Sequence, residues 1–254
     1  MRSEKSMFVW NDDMIRYLSE ASAYGRYNEK IAERIAGRLE RGAHVCDAGC
    51  GLGYLSLALA PCCGRVTAVD ASEKALAVLR SNLVAAGIRN VEPVQADLFT
   101  MTPKEPYDAM AFCFFGTIEQ TLAAVRTQCR GKAFLIKKNW DTHRFTLKER
   151  PLEKFTFART CAALDRLGIP YETEVFPLEM GQPLRSLADA VAFFRLYGEA
   201  GEQVSQDNVR ARLVETGDET FPYYLPANRP LGMVILSAGD IPPSLELSAP
   251  RGGS

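Results

Sequence analysis

The sequence has no long apolar run and no excess of charge of either sign. No segment approaches the ~18 uncharged apolar residues of a membrane-spanning helix, and the opening MRSEKSMFVWNDD lacks the apolar region of a signal peptide. The 30 Lys and Arg residues balance 31 Asp and Glu residues, and no basic stripe suited to nucleic acid stands out. We therefore expect a cytoplasmic protein that binds neither membranes nor nucleic acids.

Residues that usually bind metals are also few. The chain has two histidines and seven cysteines, and no two cysteines have the CxxC spacing typical of zinc sites. Several of the cysteines lie inside apolar segments, which is typical of buried, reduced thiols in a cytosolic protein. We expect no metal site.

Predicted strands and helices alternate through the first half of the chain. Helical patterns of about 10–15 residues separate most of the strands, which predicts right-handed βαβ units and a doubly wound, mostly parallel α/β sheet. The predicted strands read HVCDAG, RVTAVD, VEPVQAD, YDAMAFCFF and KAFLIKKN.

Capping residues indicate where the helices of this half begin and end. Ser72 precedes one helical pattern and Gly87 follows it, and Asn28 stands as a candidate N-cap of an earlier helix. Thr117 and Gln120 have the spacing of a capping box.

The second half continues with a helix in PLEKFTFARTCAALDRLG and a strand in YETEVFPLE. Helical patterns in SLADAVAFFRLYG and SQDNVRARLVETG precede a last strand, LGMVILSA. We predict one domain over residues 1–240, with an N-terminal helical cap (1–42), a ligand-binding core (43–140), a helical insertion that covers the site (183–228) and a disordered tail (241–254).

A glycine-rich turn follows the first predicted strand. Gly49, Gly51 and Gly53 alternate with other residues, and Asp47 ends the strand before them. A strand, a tight glycine turn and a helix place backbone N–H groups beside a crevice at the carboxyl edge of a parallel sheet. Because a nicotinamide-binding fold would show GxGxxG instead of GxGxG, a nicotinamide dinucleotide is disfavoured.

The motif VCDAGCGLG resembles the first motif of class I S-adenosylmethionine-dependent methyltransferases. The resemblance implies that Asp70, at the end of the second strand, holds both ribose hydroxyls. It implies that Asp97 accepts from the adenine amino group, that Leu98 lies near the ring and that Asp47 lies near the methionine end. The other implied cofactor contacts are Gly49, Cys50, Gly51, Gly53, Ala71, Phe112 and Cys113.

The resemblance also implies the fold and the cofactor. It implies a Rossmann-like seven-stranded sheet whose last strand runs antiparallel beside the fifth. It implies S-adenosylmethionine as methyl donor and S-adenosylhomocysteine as product.

Absent motifs narrow the class of methyl acceptor. The segment after the fourth strand reads FCFFGT instead of (D/N)PP(Y/F), which disfavours methylation of nucleobase or glutamine amino groups. The PCC of residues 61–63 lies before the second strand, away from the place of a cytosine C5 nucleophile, and the fourth strand ends without an acid for Mg²⁺. We predict a small-molecule acceptor and a monomer or homodimer.

Two alternative functions stay open. One is a methyltransferase that acts on a protein. The other is a catalytically silent cofactor-binding module, which a bulky ring such as Phe112 or Phe114 in front of the methyl group would indicate.

Candidate acceptor contacts lie after the fifth strand and near the first helices. His143 is either a general base or a loop histidine without a role. Tyr24 and Tyr27 are candidates for a lid over the methionine end. Lys137 and Lys138, at the end of the fifth strand, either attract an anionic group or are solvated.

Five aromatic residues of the insertion region have two interpretations. They either wall a substrate pocket or pack the insertion onto the sheet. They are Phe193, Phe194, Tyr197, Tyr223 and Tyr224.

Overall fold

The computed structural model of the chain describes residues 9–143, 145–148, 151, 156–198 and 202–243. The strands are β1 (His44–Ala48), β2 (Arg65–Asp70), β3 (Val91–Gln95), β4 (Tyr107–Cys113), β5 (Cys129–Lys138), β6 (Glu172–Glu179), β7 (Gln182–Leu184), β8 (Val214–Glu215), β9 (Tyr223–Leu225) and β10 (Asn228–Ser237). The α-helices are α1 (Asp12–Gly25), α2 (Tyr27–Ala36), α3 (Tyr54–Leu59), α4 (Glu73–Ala86), α5 (Ile118–Gln128), α6 (Phe157–Leu167), α7 (Leu187–Tyr197) and α8 (Gln206–Arg210). No helix in these ranges is long and apolar enough to cross a bilayer.

Seven strands form one sheet in the order β3-β2-β1-β4-β5-β10-β6. The first five of this row pair in parallel, and β10 runs antiparallel to both β5 and β6. This confirms the predicted doubly wound sheet with a reversed last strand beside the fifth. The chain reverses its strand order between β1 and β4, which places a crevice at their carboxyl ends.

Both faces of the sheet are covered, so alternate residues of a central strand enter different clusters of the core. In β4, Ala109 and Ala111 pack on one side, while Met110 and Phe112 pack on the other. A strand buried on both faces reads as a continuous apolar run, as the sequence of β4 does.

Most of the predicted helix caps are present. The Ser72 hydroxyl accepts from the backbone N–H of Ala75, and Gly87 ends α4 in the left-handed conformation. Thr117 and Gln120 form the predicted capping box of α5. The Asn28 prediction is wrong, because the preceding helix continues almost to it. Arg26 alone, at φ 48°, separates α1 from α2, and Asn28 lies buried inside α2.

The insertion before β10 contains strands that the sequence analysis did not predict. Strands β7, β9 and β8 form a small antiparallel sheet beside α7. The helix expected over 205–217 ends at Arg210, because Val214 and Glu215 pair with β9 instead. A turn holds this pairing: Gly217 has φ +76°, and the Asp218 carboxylate accepts from two following backbone N–H groups.

The chain after β10 turns back onto the core. Ile241 is buried among the residues that cover the α5 side of the sheet. Most of the predicted tail, residues 244–254, lies outside the described residues.

Candidate functional site

The glycine turn joins β1 to α3 and has three residues in the left-handed region. Gly49, Gly51 and Gly53 have φ values of +67°, +53° and +76°. A Cβ on Gly49 would overlap the ring of Phe115, and a Cβ on Gly53 would overlap the side chain of Leu79. Glycine is therefore required here by close approach of the protein's own side chains as well as by backbone conformation.

Asp70 holds this turn in place from the end of β2. One carboxylate oxygen accepts from the backbone N–H of Gly51, and the other accepts from that of Ser72, both at 2.8 Å. Each oxygen keeps a further lone pair for a ligand. The side chain is half-buried and faces the adjoining cavity.

A cavity of about 600 Å³ lies at the carboxyl edge of β1 to β4. Six of the residues predicted from the sequence line it: Gly49, Gly51, Asp70, Ala71, Asp97 and Leu98. Cys113 lines it too, as expected. The volume lies within the ~300–1,000 Å³ typical of sites for cofactors and drug-sized ligands.

Four other predicted residues do not line this cavity, namely Asp47, Cys50, Gly53 and Phe112. The Phe112 ring is fully buried in the core with Met110, since side chains alternate along β4. The residues that follow the end of the strand reach the cavity instead of Phe112.

Asp47 lies beneath the turn and is almost completely buried. The Ser56 hydroxyl donates to its carboxylate at 2.6 Å. Burial raises the pKa of Asp47 to about 6, although the hydrogen bond from Ser56 acts in the opposite direction. At neutral pH, the turn therefore sits above a buried negative charge.

An aromatic pair forms the wall of the cavity that faces Gly49. The rings of Phe99 and Phe115 are parallel within 8° and their centroids lie 5.1 Å apart. Phe114 lies between the end of β4 and Phe115, and it has φ +55° and an exposed side chain. The ring that packs on Gly49 is therefore that of Phe115, and neither Phe112 nor Phe114 takes that place.

Lys137 fixes the segment that carries Phe115. Its side chain is buried, and its Nζ donates to the backbone carbonyls of Phe115 at 3.1 Å and Gly116 at 3.2 Å. Burial lowers the pKa of Lys137 to about 8. The interpretation of Lys137 as a solvated lysine is therefore wrong. Sequence reasoning did not identify this role, because an inward lysine and an outward lysine look alike at a strand end.

A second pocket of about 200 Å³ lies between α1, the start of α2, β7 and α7. Tyr27, Phe193 and Tyr197 line it, and Trp10 lines both this pocket and the larger cavity. Tyr24 lies outside the pocket and packs on Tyr224. Trp10 has no motif around it that could have indicated this position.

The aromatic residues of the insertion divide between the two predicted roles. Phe193 and Tyr197 line the small pocket, whereas Phe194 is buried in the core of the insertion. Tyr224 donates to the Glu179 carboxylate at 2.8 Å, which ties β9 to the end of β6. His143 is half-buried after β5 and is not among the residues that line either cavity.

Each of the seven cysteines is a free thiol. Within the described ranges, no three His, Cys, Asp or Glu side chains are grouped closely enough to hold a metal ion.

Comparison with known proteins agrees with this geometry. Residues 45–130 match the family model described as a methyltransferase domain. The search of curated proteins found no match.

Solved structures share the fold at low sequence identity. The YcgJ protein of Bacillus subtilis is 15% identical with a TM-score of 0.54, over 81% of this chain and 97% of its own. A provisionally assigned methyltransferase of Bacillus halodurans is 15% identical with a TM-score of 0.53, over 83% and 98%. A protein from work on the conversion of a disulfide bond into a thioacetal in echinomycin biosynthesis is 18% identical with a TM-score of 0.52, over 86% and 91%.

Proposed function

We propose that this chain is a class I S-adenosylmethionine-dependent methyltransferase that methylates a small-molecule acceptor. Its methyltransferase domain at residues 45–130 and the order of its sheet support the proposal. The observation that carries the proposal is the cavity beside the glycine turn. It brings the carboxylates of Asp70 and Asp97, from the ends of β2 and β3, together with bare backbone at Gly49 and Gly51. Two acids beside an apolar wall suit a nucleoside with ribose hydroxyls and an adenine ring.

The residues present fit S-adenosylmethionine. Asp70 would hold the ribose hydroxyls, and Asp97, whose carboxylate also accepts from the N–H of Phe99, would face the adenine edge. Leu98 and Phe99 give the ring an apolar surface. The buried charge of Asp47 beneath the turn favours a cation above it.

When bound, S-adenosylmethionine supplies a methyl group on a sulfonium, which is a good leaving group. The acceptor would supply the lone pair that forms the new bond to carbon and would lose a proton to bulk solvent, and the C–S electron pair would stay on the sulfur of the product. The protein's own contribution is to position the reactants and exclude water. No side chain needs to serve as a dedicated base.

Calorimetric titration with S-adenosylhomocysteine tests the cofactor assignment. We expect binding to the wild type and a loss of about 2–3 kcal/mol in Asp70→Ala, because hydrogen bonds to a charged group are removed. Glu73→Ala is the matched control, since Glu73 is an exposed acid at the start of the same helix, α4. Equal affinity in wild type and Asp70→Ala would contradict the assignment of Asp70 to the ribose.

The choice of a small acceptor is supported by the balanced charge and the small pocket beside the cavity. An affinity for tRNA or DNA comparable to that for the cofactor would contradict it.

One observation favours a second candidate, a module that binds the cofactor without transfer. The Phe115 ring packs on Gly49, at the end of the turn where the resemblance places the methionine. Mass spectrometry of acceptor panels incubated with S-adenosylmethionine decides between the two. Methylated products from wild type support transfer, whereas products that appear only with Phe115→Ala support the silent module.

A further inference from the structure

The small pocket adjoins the larger cavity at the middle of the glycine turn. Trp10 lines both spaces, and a Cβ placed on Gly51 would lie 3.2 Å from Cζ2 of its indole. A molecule in the pocket would therefore lie next to whatever occupies the turn. This position matters because methyl transfer needs donor and acceptor side by side.

The lining of the pocket selects against charged ligands. Among the described residues that form it, none is charged, and apolar groups such as Met14, Leu18 and Phe193 predominate. A cavity of about 150 Å³ lined by apolar side chains can hold benzene. The volume of about 200 Å³ therefore suits a single substituted ring.

Gln182 supplies the one amide that lines this pocket among the described residues. It is 3% exposed, and its Nε2 donates to the backbone carbonyls of Tyr17 at 3.1 Å and Pro183 at 3.0 Å. Both amide hydrogens are used in this way, and turning the amide over would set its oxygen against two carbonyl oxygens. The orientation of the side chain is therefore fixed.

The oxygen of the same amide remains available. The hydrogen bonds of Gln182 to the described residues are made by Nε2, and none is accepted by Oε1. This oxygen is not among the fully buried side-chain atoms that lack a partner, so a molecule in the pocket can reach it. A ligand in the pocket that donates a hydrogen bond would pair with this acceptor.

The walls of the pocket are held together without a ligand. Asp189 at the start of α7 accepts from Tyr17 Oη at 2.9 Å and from Arg16 Nη2 at 2.7 Å, both on α1. The ring of Phe193 packs edge-on against Tyr17 at 4.9 Å. This cross-linking of α1 to α7 preorganises the pocket and lowers the entropic cost of binding.

We propose that this pocket is the acceptor site, and that the acceptor is a neutral, single-ring molecule whose hydroxyl or N–H group donates to Gln182 Oε1. The inference rests on the proposed function and adds the chemical class of the substrate. It assigns Gln182 as a specificity residue that distinguishes ligands with a donor from isosteric ligands without one.

Ligand-observed NMR on the full chain tests it with three probes: phenol, toluene and benzoate. We expect phenol to bind with a Kd on the order of 1 mM, as befits a fragment of its size, and about five- to tenfold more tightly than toluene. Benzoate should bind more weakly than either, because its charge would be buried without a partner. Equal binding of phenol and toluene, or preferential binding of benzoate, would overturn the proposal.

Variants separate this inference from the proposed function. Gln182→Met should abolish the preference for phenol over toluene, and Ala21→Met, which fills the pocket, should abolish binding of both. Gln206→Met, an exposed glutamine on α8, is the control and should leave both unchanged.

Calorimetry with S-adenosylhomocysteine is run on every variant and should give an unchanged Kd, which also shows that the variant is folded. Loss of this binding in the wild type would overturn the proposed function. The acceptor site alone would be overturned if S-adenosylhomocysteine still binds while Gln182→Met keeps the preference for phenol over toluene and Ala21→Met binds both probes as well as wild type does.

Discussion

The buried carboxylate beneath the glycine turn should destabilise the protein at neutral pH. Asp47 has a folded pKa of about 6 against an ordinary value of 3.8, because burial disfavours its charged form. Its contribution to stability is therefore complete below pH 3.8 and is lost as the pH rises to about 6. The difference between the two pKa values corresponds to about 3 kcal/mol at pH 7 and above.

Asp47→Asn removes the charge and keeps an oxygen that can accept from Ser56. We expect the free energy of unfolding of the variant, relative to wild type, to rise by about 2 kcal/mol between pH 4.5 and pH 7.5. The same variant should bind S-adenosylmethionine more weakly, since the charge beneath the turn is lost. Such a trade of stability for function is common at functional sites.

Urea unfolding followed by circular dichroism at several pH values measures the effect. Asp13→Asn changes an exposed acid in the first turn of α1 and is the control for the loss of a surface charge; its free energy of unfolding should stay within about 0.5 kcal/mol of wild type. A difference between Asp47→Asn and wild type that does not change with pH would refute the reasoning, because it would mean that Asp47 is not desolvated in the folded protein.

Two further predictions concern the turn and the segment that faces it. Gly53→Ala should lower the free energy of unfolding by about 3 kcal/mol or more, measured by urea unfolding. The control Gly217→Ala has the same φ of +76° and no atom within 4 Å of its Cβ, so it should lower the free energy by only about 1–2 kcal/mol. Equal losses in the two variants would contradict the predicted overlap with Leu79. Lys137 has a lowered folded pKa, so the unfolded chain binds more protons between pH 8 and 10.5 and stability rises there. Relative to Lys137→Met, the wild type should therefore gain about 2 kcal/mol between pH 7 and 9.5 in the same assay, and a constant difference would count against a desolvated amine.

The strands of the sheet could be predicted from the sequence because short stretches of residues and the turn or capping residues beside them indicate each strand. Of the first five strands, all but β3 contain a short apolar run, and β2 begins and ends at the predicted residues, Arg65 and Asp70. The place of the last strand, antiparallel beside the fifth, followed from a resemblance carried by the glycine motif and the acids at the ends of β2 and β3. The family motifs, and not a local pattern, therefore predicted this arrangement of segments that are distant in the sequence.

Most of the predicted cofactor residues lie at the cavity for the same reason. Asp70 ends β2 and Asp97 follows β3, and the carboxyl ends of parallel strands share one edge of the sheet. Phe112 is predicted to contact the cofactor, but side chains alternate along β4 and its ring points into the core. A shift of one residue moves a side chain to the opposite face.

The second pocket and its insertion depend on contacts between distant segments. Gln182 lies 165 residues from Tyr17, whose carbonyl orients its amide, and no local pattern indicates this pairing. The sequence predicts helix at Val214, but the pairing of this residue with β9 overrides the weak helical pattern.

The most direct test of the central claim is a crystal structure of the chain with S-adenosylhomocysteine. The account predicts the nucleoside in the cavity beside the glycine turn, with both ribose hydroxyls on Asp70 and the adenine edge facing Asp97. A ligand bound elsewhere, or a ribose that makes no contact with Asp70, would contradict it.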